Sequence, residues 1–377
     1  MKVLQVYKDY YPPIKGGIEG HLNLLANGLR QQGVAVEVLV SNTRPKLVRT
    51  GIQGVPITKV PQLGRFQSAP LNPTLPYWIR KLGQKADVLH FHFPNPTAEL
   101  SYLVSGLQRP VVVTYHSDIV RQKKMGKIIS PFLFLFLKKA HTIIVTSSNY
   151  LHSSRVLQNF KNKCKIIPHG IDIQRFAVLP ETCRTIESLR QKYGGAILLF
   201  VGRFRYYKGL DVLIEATPRI NGKVLLIGSG PLEKNFQQQI AAANLADKVV
   251  FLGEVSDEEL HTYLHACDVF LLPSTSRSEA FGIVQLEAMS CGKPVVCTEL
   301  TTGTSFVNQH EKTGLVVPPN DAAALAAAVN FLLNHKETRE KYGRASLERV
   351  TKYFTKEKMI AATLQVYQNI ISTRRVN

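Results

Sequence analysis

Short apolar runs of strand length recur along this chain, each followed by a longer stretch with helical spacing, and that alternation restricts the fold more than any other feature. In the first half the runs are Val3–Tyr7, Val36–Val40, Val88–His92, Val111–Tyr115 and Thr142–Thr146. In the second they recur as Ile197–Val201, Val224–Gly228, Val249–Leu252, Val269–Leu272 and Pro294–Cys297. Strand-helix-strand repetition of this kind builds parallel sheets covered by helices, so the expected fold class is α/β with two doubly wound sheets. A chain of 377 residues also exceeds one ordinary core and divides naturally into two domains. Strand patterning lapses between Ile171 and Tyr193, where the join is expected.

Charge separates the halves. Through Arg190 there are 26 Lys and Arg against 9 Asp and Glu, whereas the remainder holds 21 against 18. A basic first half suits an anionic partner, either a phosphorylated acceptor or acidic lipid. No zinc-like cysteine spacing or RNA-binding signature accompanies the cations, which weighs against nucleic acid. The five cysteines are odd in number and unpaired in spacing, as in a reduced cytosolic protein. Neither the amino terminus nor the run Pro131–Leu137 approaches the roughly 20 residues that span a bilayer. The expected location is cytoplasmic, with peripheral attachment to the inner face of the plasma membrane. Arg121 to Lys127 are the cations expected to dock on anionic lipid, and residues 131–137, apolar on every side, are expected to be a buried helix.

The candidate site gathers at strand ends. Glu279 and Glu287 stand eight residues apart, the first in a loop beyond a strand and the second in the following helix, so both can face a ligand in the crevice at the strands' carboxyl ends. After the first strand of the second half come Gly202, Arg203 and Lys208, where glycine permits close approach and two cations suit a diphosphate. Gly228 and Gly230 follow the next strand, and Gly253, Glu254 and Val255 the one after. Each alone is a tight turn; together they describe a floor for a nucleotide, with Glu254 and Val255 near the base and Glu287 accepting ribose hydroxyls. Phe281, Gly282 and Ile283 open a helix whose free N–H groups suit an anion or a sugar hydroxyl. No Asp-x-Asp pair is present to bridge a diphosphate through Mg2+, and no residue set calls for a metal or another cofactor.

In the first half, Gly16 and Gly17 precede a helix that carries Glu19 and His21. His116 follows a strand into a loop on the side where the other loops converge. His90 and His92 share one strand face and read as core packing or loop support rather than metal ligands; His169 and Gly170 lie near the join and can shape the hinge.

These residues together resemble the retaining GT-B glycosyltransferases of family 4, over essentially the whole chain. Glu279 and Glu287 are similar to that family's Glu-x7-Glu motif, and Gly202-Arg203 with Lys208-Gly209 to its diphosphate-binding motif; Gly16-Gly17 and Pro168–Asp172 also fit. Closest in flavour, through His92–Pro96 and Arg277–Glu287, are bacterial mannosyl- and rhamnosyltransferases of O-antigen and exopolysaccharide assembly. The resemblance implies two Rossmann-like domains facing a cleft: residues 1–178 binding the acceptor, 179–353 binding the nucleotide sugar, and a helix over 354–377 packing back on the first. It implies net retention without metal, with a GDP- or UDP-sugar as donor and a glycan, polyprenyl-diphosphate or glycolipid as acceptor. Glu279 is then expected at the donor sugar, Arg203 and Lys208 on the diphosphate, Phe281, Gly282 and Ile283 as N–H donors, His116 near the transferred sugar, and Glu19 and His21 on the acceptor side. One departure stands out: Phe306 occupies a position where many members carry a glutamate. The rival readings are a nucleotide-sugar epimerase or hydrolase of the same fold and a non-catalytic nucleotide-sugar binder.

Overall fold

The computed structural model describes residues 1–377 except 13, 15, 67, 68, 120–122, 179 and 377, with backbone alone for 123–130, 180, 181 and 374–376. The chain forms two compact units, Met1–Gly170 with Lys356–Asn377, and Ile171–Thr355.

Among the described residues, ten strands belong to the first unit: β1 (Lys2–Val6), β2 (Ala35–Ser41), β3 (Val48–Ile52), β4 (Val55–Val60), β5 (Arg65–Phe66), β6 (Ala69–Pro70), β7 (Val88–Phe93), β8 (Val111–Tyr115), β9 (Thr142–Val145) and β10 (Cys164–Ile166). Eight of them form one sheet in the order β10-β9-β8-β7-β1-β2-β4-β3, parallel except for the β3–β4 hairpin. That hairpin was not legible in the sequence. Arg49, Thr50 and Gly51 are exposed and break the apolar run, while Gln53 and Gly54, with φ of 50° and 77°, make the left-handed turn that joins its strands. Because chain order departs in both directions from β1, the loops after β1 and β7 flank a switch point, where open α/β sheets bind ligands.

The carboxyl-terminal helix Lys356–Val376 is part of the first unit. Met359, Ile360, Val366 and Tyr367 enter the core built by Leu22, Leu25 and Leu29 of helix Gly17–Gln31 and by alternate residues of β1 and β2. At Gly28 a side chain would collide with Ile360, since a Cβ there would lie 2.0 Å from its Cδ1. The two helices thus meet at a glycine.

Residues 131–137 depart from the sequence expectation. They lie in helix Lys123–Lys139, and Leu133, Phe136 and Leu137 are buried, but Phe132, Phe134 and Leu135 are about half exposed. A helix lying on a sheet can bury only one stripe, and this one keeps apolar residues on the other face too. The cations Arg121 to Lys127 fall outside the residues whose side chains are described. Among the described residues, no helix is long and apolar enough to cross a membrane.

The second unit holds β11 (Ile197–Val201), β12 (Lys223–Ile227), β13 (Val249–Gly253), β14 (Val269–Leu272), β15 (Val295–Thr298) and β16 (Gly314–Val317) in one parallel sheet, order β13-β12-β11-β14-β15-β16. Near-continuous burial of β11, β12, β14 and β15 is what a parallel sheet covered on both faces requires. Its switch point lies between β11 and β14, which places the loop after Val201 beside the loop after Leu272.

Candidate functional sites in the two units

At the switch point of the second unit, three loops are stacked backbone against backbone. The Gly202 N–H donates to Ile227 O (3.0 Å), Gly228 N–H to Gly253 O (2.8 Å) and Phe204 N–H to Ser229 O (2.9 Å). Gly228, with φ of 125°, leaves no room for a side chain, because its Cβ would lie 2.1 Å from Gly202 O. Gly230 is similarly confined against Phe204 O, at 2.5 Å. Gly253, by contrast, has φ of 69° and faces open space. Val255 is partly buried against the core just before Ser256, which begins helix Asp257–Ala266 with reciprocal bonds to Glu259.

A short helical turn over Tyr206–Lys208, ended by left-handed Gly209, folds Lys208 back over Gly202. The Lys208 Nζ lies 2.6 Å from Glu279 Oε2, and both side chains are nearly buried. Burial is the largest influence on this ammonium and works to lower its pKa, but the Glu279 charge, the Tyr207 ring and the hydrogen bond to Glu279 together outweigh it and the net direction is upward. Ser274 Oγ donates to the same carboxylate oxygen at 3.1 Å. Arg203, one residue past Gly202, is exposed and has no ion pair among the described residues. Lys208 is therefore neutralised locally by Glu279, while Arg203 presents an uncompensated charge.

Glu279 sits in a loop whose brace was not legible in the sequence. Thr302 Oγ1 donates to Glu279 O (2.9 Å), Gly303 N–H to Ala280 O (2.7 Å), and Thr298 Oγ1 to Ser274 O. Arg277 reaches Thr301 Oγ1 at 3.1 Å. The segment 298–304 thus clamps the Glu279 loop, and the residues that do so are small hydroxyl side chains with no distinctive spacing. Beyond it, Phe281 is buried and Gly282 takes φ of 73° as the cap of helix Ile283–Ser290. Gln285 holds the turn by donating to Phe281 O at 2.9 Å. Glu287 lies on this helix, partly buried, and loss of solvent raises its carboxyl to about 7, with Arg175 pulling the other way.

The first unit brings five histidines together at the ends of β7 and β8. His90 and His92 share a face of β7, His116 follows β8, His21 comes from helix Gly17–Gln31, and His169 from the loop after β10; all are buried. His90 contacts Tyr367 Oη at 2.6 Å and Thr114 Oγ1 at 2.7 Å. His92 Nδ1 meets His116 Nε2 at 3.0 Å, and His21 Nδ1 meets His169 Nδ1 at 2.9 Å. Burial drives every ring toward its neutral form, reinforced by repulsion from neighbouring histidines at His90, His92, His116 and His169; His21 falls to about 4 by burial alone and His90 to about 3. His169, read from sequence as a hinge residue, packs parallel to His116 with centroids 5.3 Å apart. Glu19 is buried in the first turn of its helix and lies over the helix cap Gly16, where a Cβ would come within 2.2 Å of Glu19 Oε2. Gly17 begins that helix.

Two Rossmann-like units, with glycine-lined strand ends in one and a polar cluster at the switch point of the other, define a GT-B type protein. Family models agree: residues 184–349 match glycosyl transferases group 1, and residues 15–175 match glycosyltransferase family 4. The chain belongs to this family of glycosyltransferases. It is 34% identical over 377 residues to the O-antigen chain mannosyltransferase C of Escherichia coli, covering 99% of this chain and 100% of that one. To the D-rhamnosyltransferase WbpZ of Pseudomonas aeruginosa it is 36% identical over 355 residues, covering 94% and 92%. The solved structure of sucrose-phosphate synthase from Thermosynechococcus elongatus shares the fold, with a TM-score of 0.83 at 24% identity and 99% of each chain covered.

Proposed function

We propose that the protein is a retaining, metal-independent hexosyltransferase that moves a sugar from a nucleoside diphosphate sugar to a hydroxyl of a glycan or lipid-linked acceptor in cell-surface polysaccharide synthesis. GDP-mannose is the favoured donor, a UDP-sugar the alternative; the mannosyl- and rhamnosyltransferase relatives support this choice. The observation that carries the reading is the Lys208–Glu279 pair lying against Gly202, with exposed Arg203 on the same strand end. A diphosphate there meets two cations, one preset by a carboxylate that can also accept hydrogen bonds from sugar hydroxyls.

In this scheme the acceptor oxygen attacks the anomeric carbon from the face that the leaving group departs. The bond from that carbon to the phosphate oxygen breaks, and the acceptor proton passes to the leaving phosphate. Arg203 and Lys208 stabilise the charge that grows there, while Phe281, Gly282 and Ile283 offer N–H groups, Gly230, Gly253 and Val255 line the nucleotide, and Glu287 accepts the ribose hydroxyls. In the first unit, neutral His116 acts at the transferred sugar, with Gly16 and Gly17 allowing close approach and Glu19 and His21 on the acceptor side.

Arg203→Ala tests the assignment. Because the side chain is exposed and unpaired, the variant is expected to melt with the wild type while losing about 10²–10³-fold in turnover, the scale for removing one preorganised charge contact. Steady-state transfer alongside thermal melting reads both, and near-normal turnover would sink the assignment.

A further inference from the structure

Three of the five buried histidines form a nearly equilateral group. The ring centroids of His21, His92 and His116 are separated by 5.7, 5.3 and 5.3 Å, and one nitrogen from each ring lies within 4.8 Å of the others. The rings come from three different elements, so each reaches the common centre from its own direction. The protein, not a flexible tail, fixes their spacing.

We propose that His21, His92 and His116 form a binding site for a late divalent transition ion, Zn2+ in the first instance, and that an ion held there inhibits sugar transfer by taking His116 away from the substrate. The inhibition rests on the role given to His116 above; the binding does not. His92 Nδ1 and His116 Nε2 already face each other at 3.0 Å. Tetrahedral bonds of about 2.0–2.1 Å would hold two such nitrogens about 3.3 Å apart; an ion enters as the rings pivot and the proton between them moves to the outer nitrogen of its own ring, His92 Nε2 or His116 Nδ1, neither of which has a partner among the described residues. His21 Nε2 has no partner among the described residues, and His21 Nδ1 is held by His169 at 2.9 Å. A hydrogen bond on the opposite nitrogen is the usual way a ligating imidazole is oriented.

Chemistry and charge both suit this class of ion. Imidazole nitrogen favours Zn2+, Cu2+ and Ni2+ over Mg2+ or Ca2+, which prefer oxygen. Carboxylates stand nearby: Glu19 and Asp9 both act on the Tyr7 hydroxyl, and the Tyr7 ring is 6.2 Å from that of His92. Asp9 is paired with Arg65, and Lys8 opposes the carboxylates at His116. Three protein ligands leave a fourth position for water or an anion, as in open zinc sites. Inhibition by such an ion is compatible with a transfer reaction that itself needs none.

The test uses the full-length chain, stripped with chelator and dialysed, then titrated with Zn2+ and separately with Co2+. About one ion per chain is expected, with the intense visible bands of low-coordinate Co2+. His21→Asn and His92→Asn are each expected to weaken binding by more than about 100-fold, since loss of a supporting group alone costs 10–100-fold. His152→Asn, an exposed histidine elsewhere, should bind as the wild type does. Circular dichroism confirms folding of each variant. Wild-type protein that takes up no ion, or binding that is the same in His21→Asn as in His152→Asn, overturns the inference. Zn2+ uptake without any sugar transfer would leave the site standing and remove the transferase reading; transfer with no uptake would do the reverse. When both hold, Zn2+ should suppress transfer and EDTA should restore it.

Discussion

Lys208→Met is expected to lose both transfer and about 3–5 kcal/mol of stability, the cost of leaving one member of a buried ion pair without its partner. The sequence alone suggests that Lys208 and Arg203 are equivalent cations, either of which can be removed without harm to the fold. The structure separates them. Lys208 is 8% exposed and sits 2.6 Å from a Glu279 that is also 8% exposed, whereas Arg203 is open to solvent. Removing the ammonium strands the carboxylate between Ser274 and the clamp made by Thr302, with Ser274 as its remaining side-chain donor. The double variant Lys208→Met/Glu279→Gln should recover much of the stability, because the buried charge is then gone, and none of the activity. Denaturant melts of the two variants beside the wild type decide the matter. A Lys208→Met protein as stable as the wild type would mean that the pair is not held in solution.

The second large effect concerns Glu287 and its sign depends on pH. Burial raises this carboxyl from its ordinary value to about 7, so the folded state resists the charged form. A group whose folded pKa lies above its unfolded one supports the fold fully below the unfolded value, near 4.5, and that support is lost as pH rises through 7. Glu287→Gln removes the charge. Without nucleotide, the variant should match the wild type near pH 5 and exceed it at pH 8, by up to about 3 kcal/mol at 1.36 kcal/mol per pKa unit. On the proposed ribose-binding role of Glu287, nucleotide should reverse the ranking, because ribose hydroxyls would donate to the ionised carboxylate and make good its lost hydration. Wild-type affinity should therefore strengthen as pH rises through 7, and the variant should show neither that dependence nor tight binding. Thermal melts at the two pH values, with and without nucleotide, measure both; a variant less stable than the wild type at pH 8 would make Glu287 a structural residue.

Much of the fold was legible because it follows from periodicity. Val111–Tyr115, Ile197–Val201 and Val269–Leu272 are strands with the ends expected from their apolar runs, since buried parallel strands have little other way to be written. The β3–β4 hairpin, with three exposed residues in β3, carries no such signal, and three-residue β10 is too short to carry one. Helix Lys123–Lys139 misled in the opposite direction: an all-round apolar sequence does not say that both faces find a cover. At the site, the glycines at 202, 228 and 230 announce close backbone approach; a side chain at Gly228 or Gly230 would collide with the backbone of the neighbouring loop, whereas one at Gly202 would meet Lys208 of its own loop at ordinary contact distance. What sequence could not convey was pairing. Nothing in the spacing links Lys208 to Glu279, Thr302 to the Glu279 carbonyl, or His21 to histidines at 92, 116 and 169, because such contacts are set by strand order and not by separation along the chain.

The most direct test of the central claim is turnover of GDP-mannose and a panel of UDP-sugars by the wild-type protein, with and without a glycan or lipid-linked acceptor, in the presence and absence of EDTA. One nucleotide class is expected to be consumed, only when acceptor is present, at a rate that EDTA does not reduce, with the anomeric configuration kept in the product. Consumption of donor at the same rate without acceptor would contradict it and make the protein a hydrolase or epimerase of the same fold.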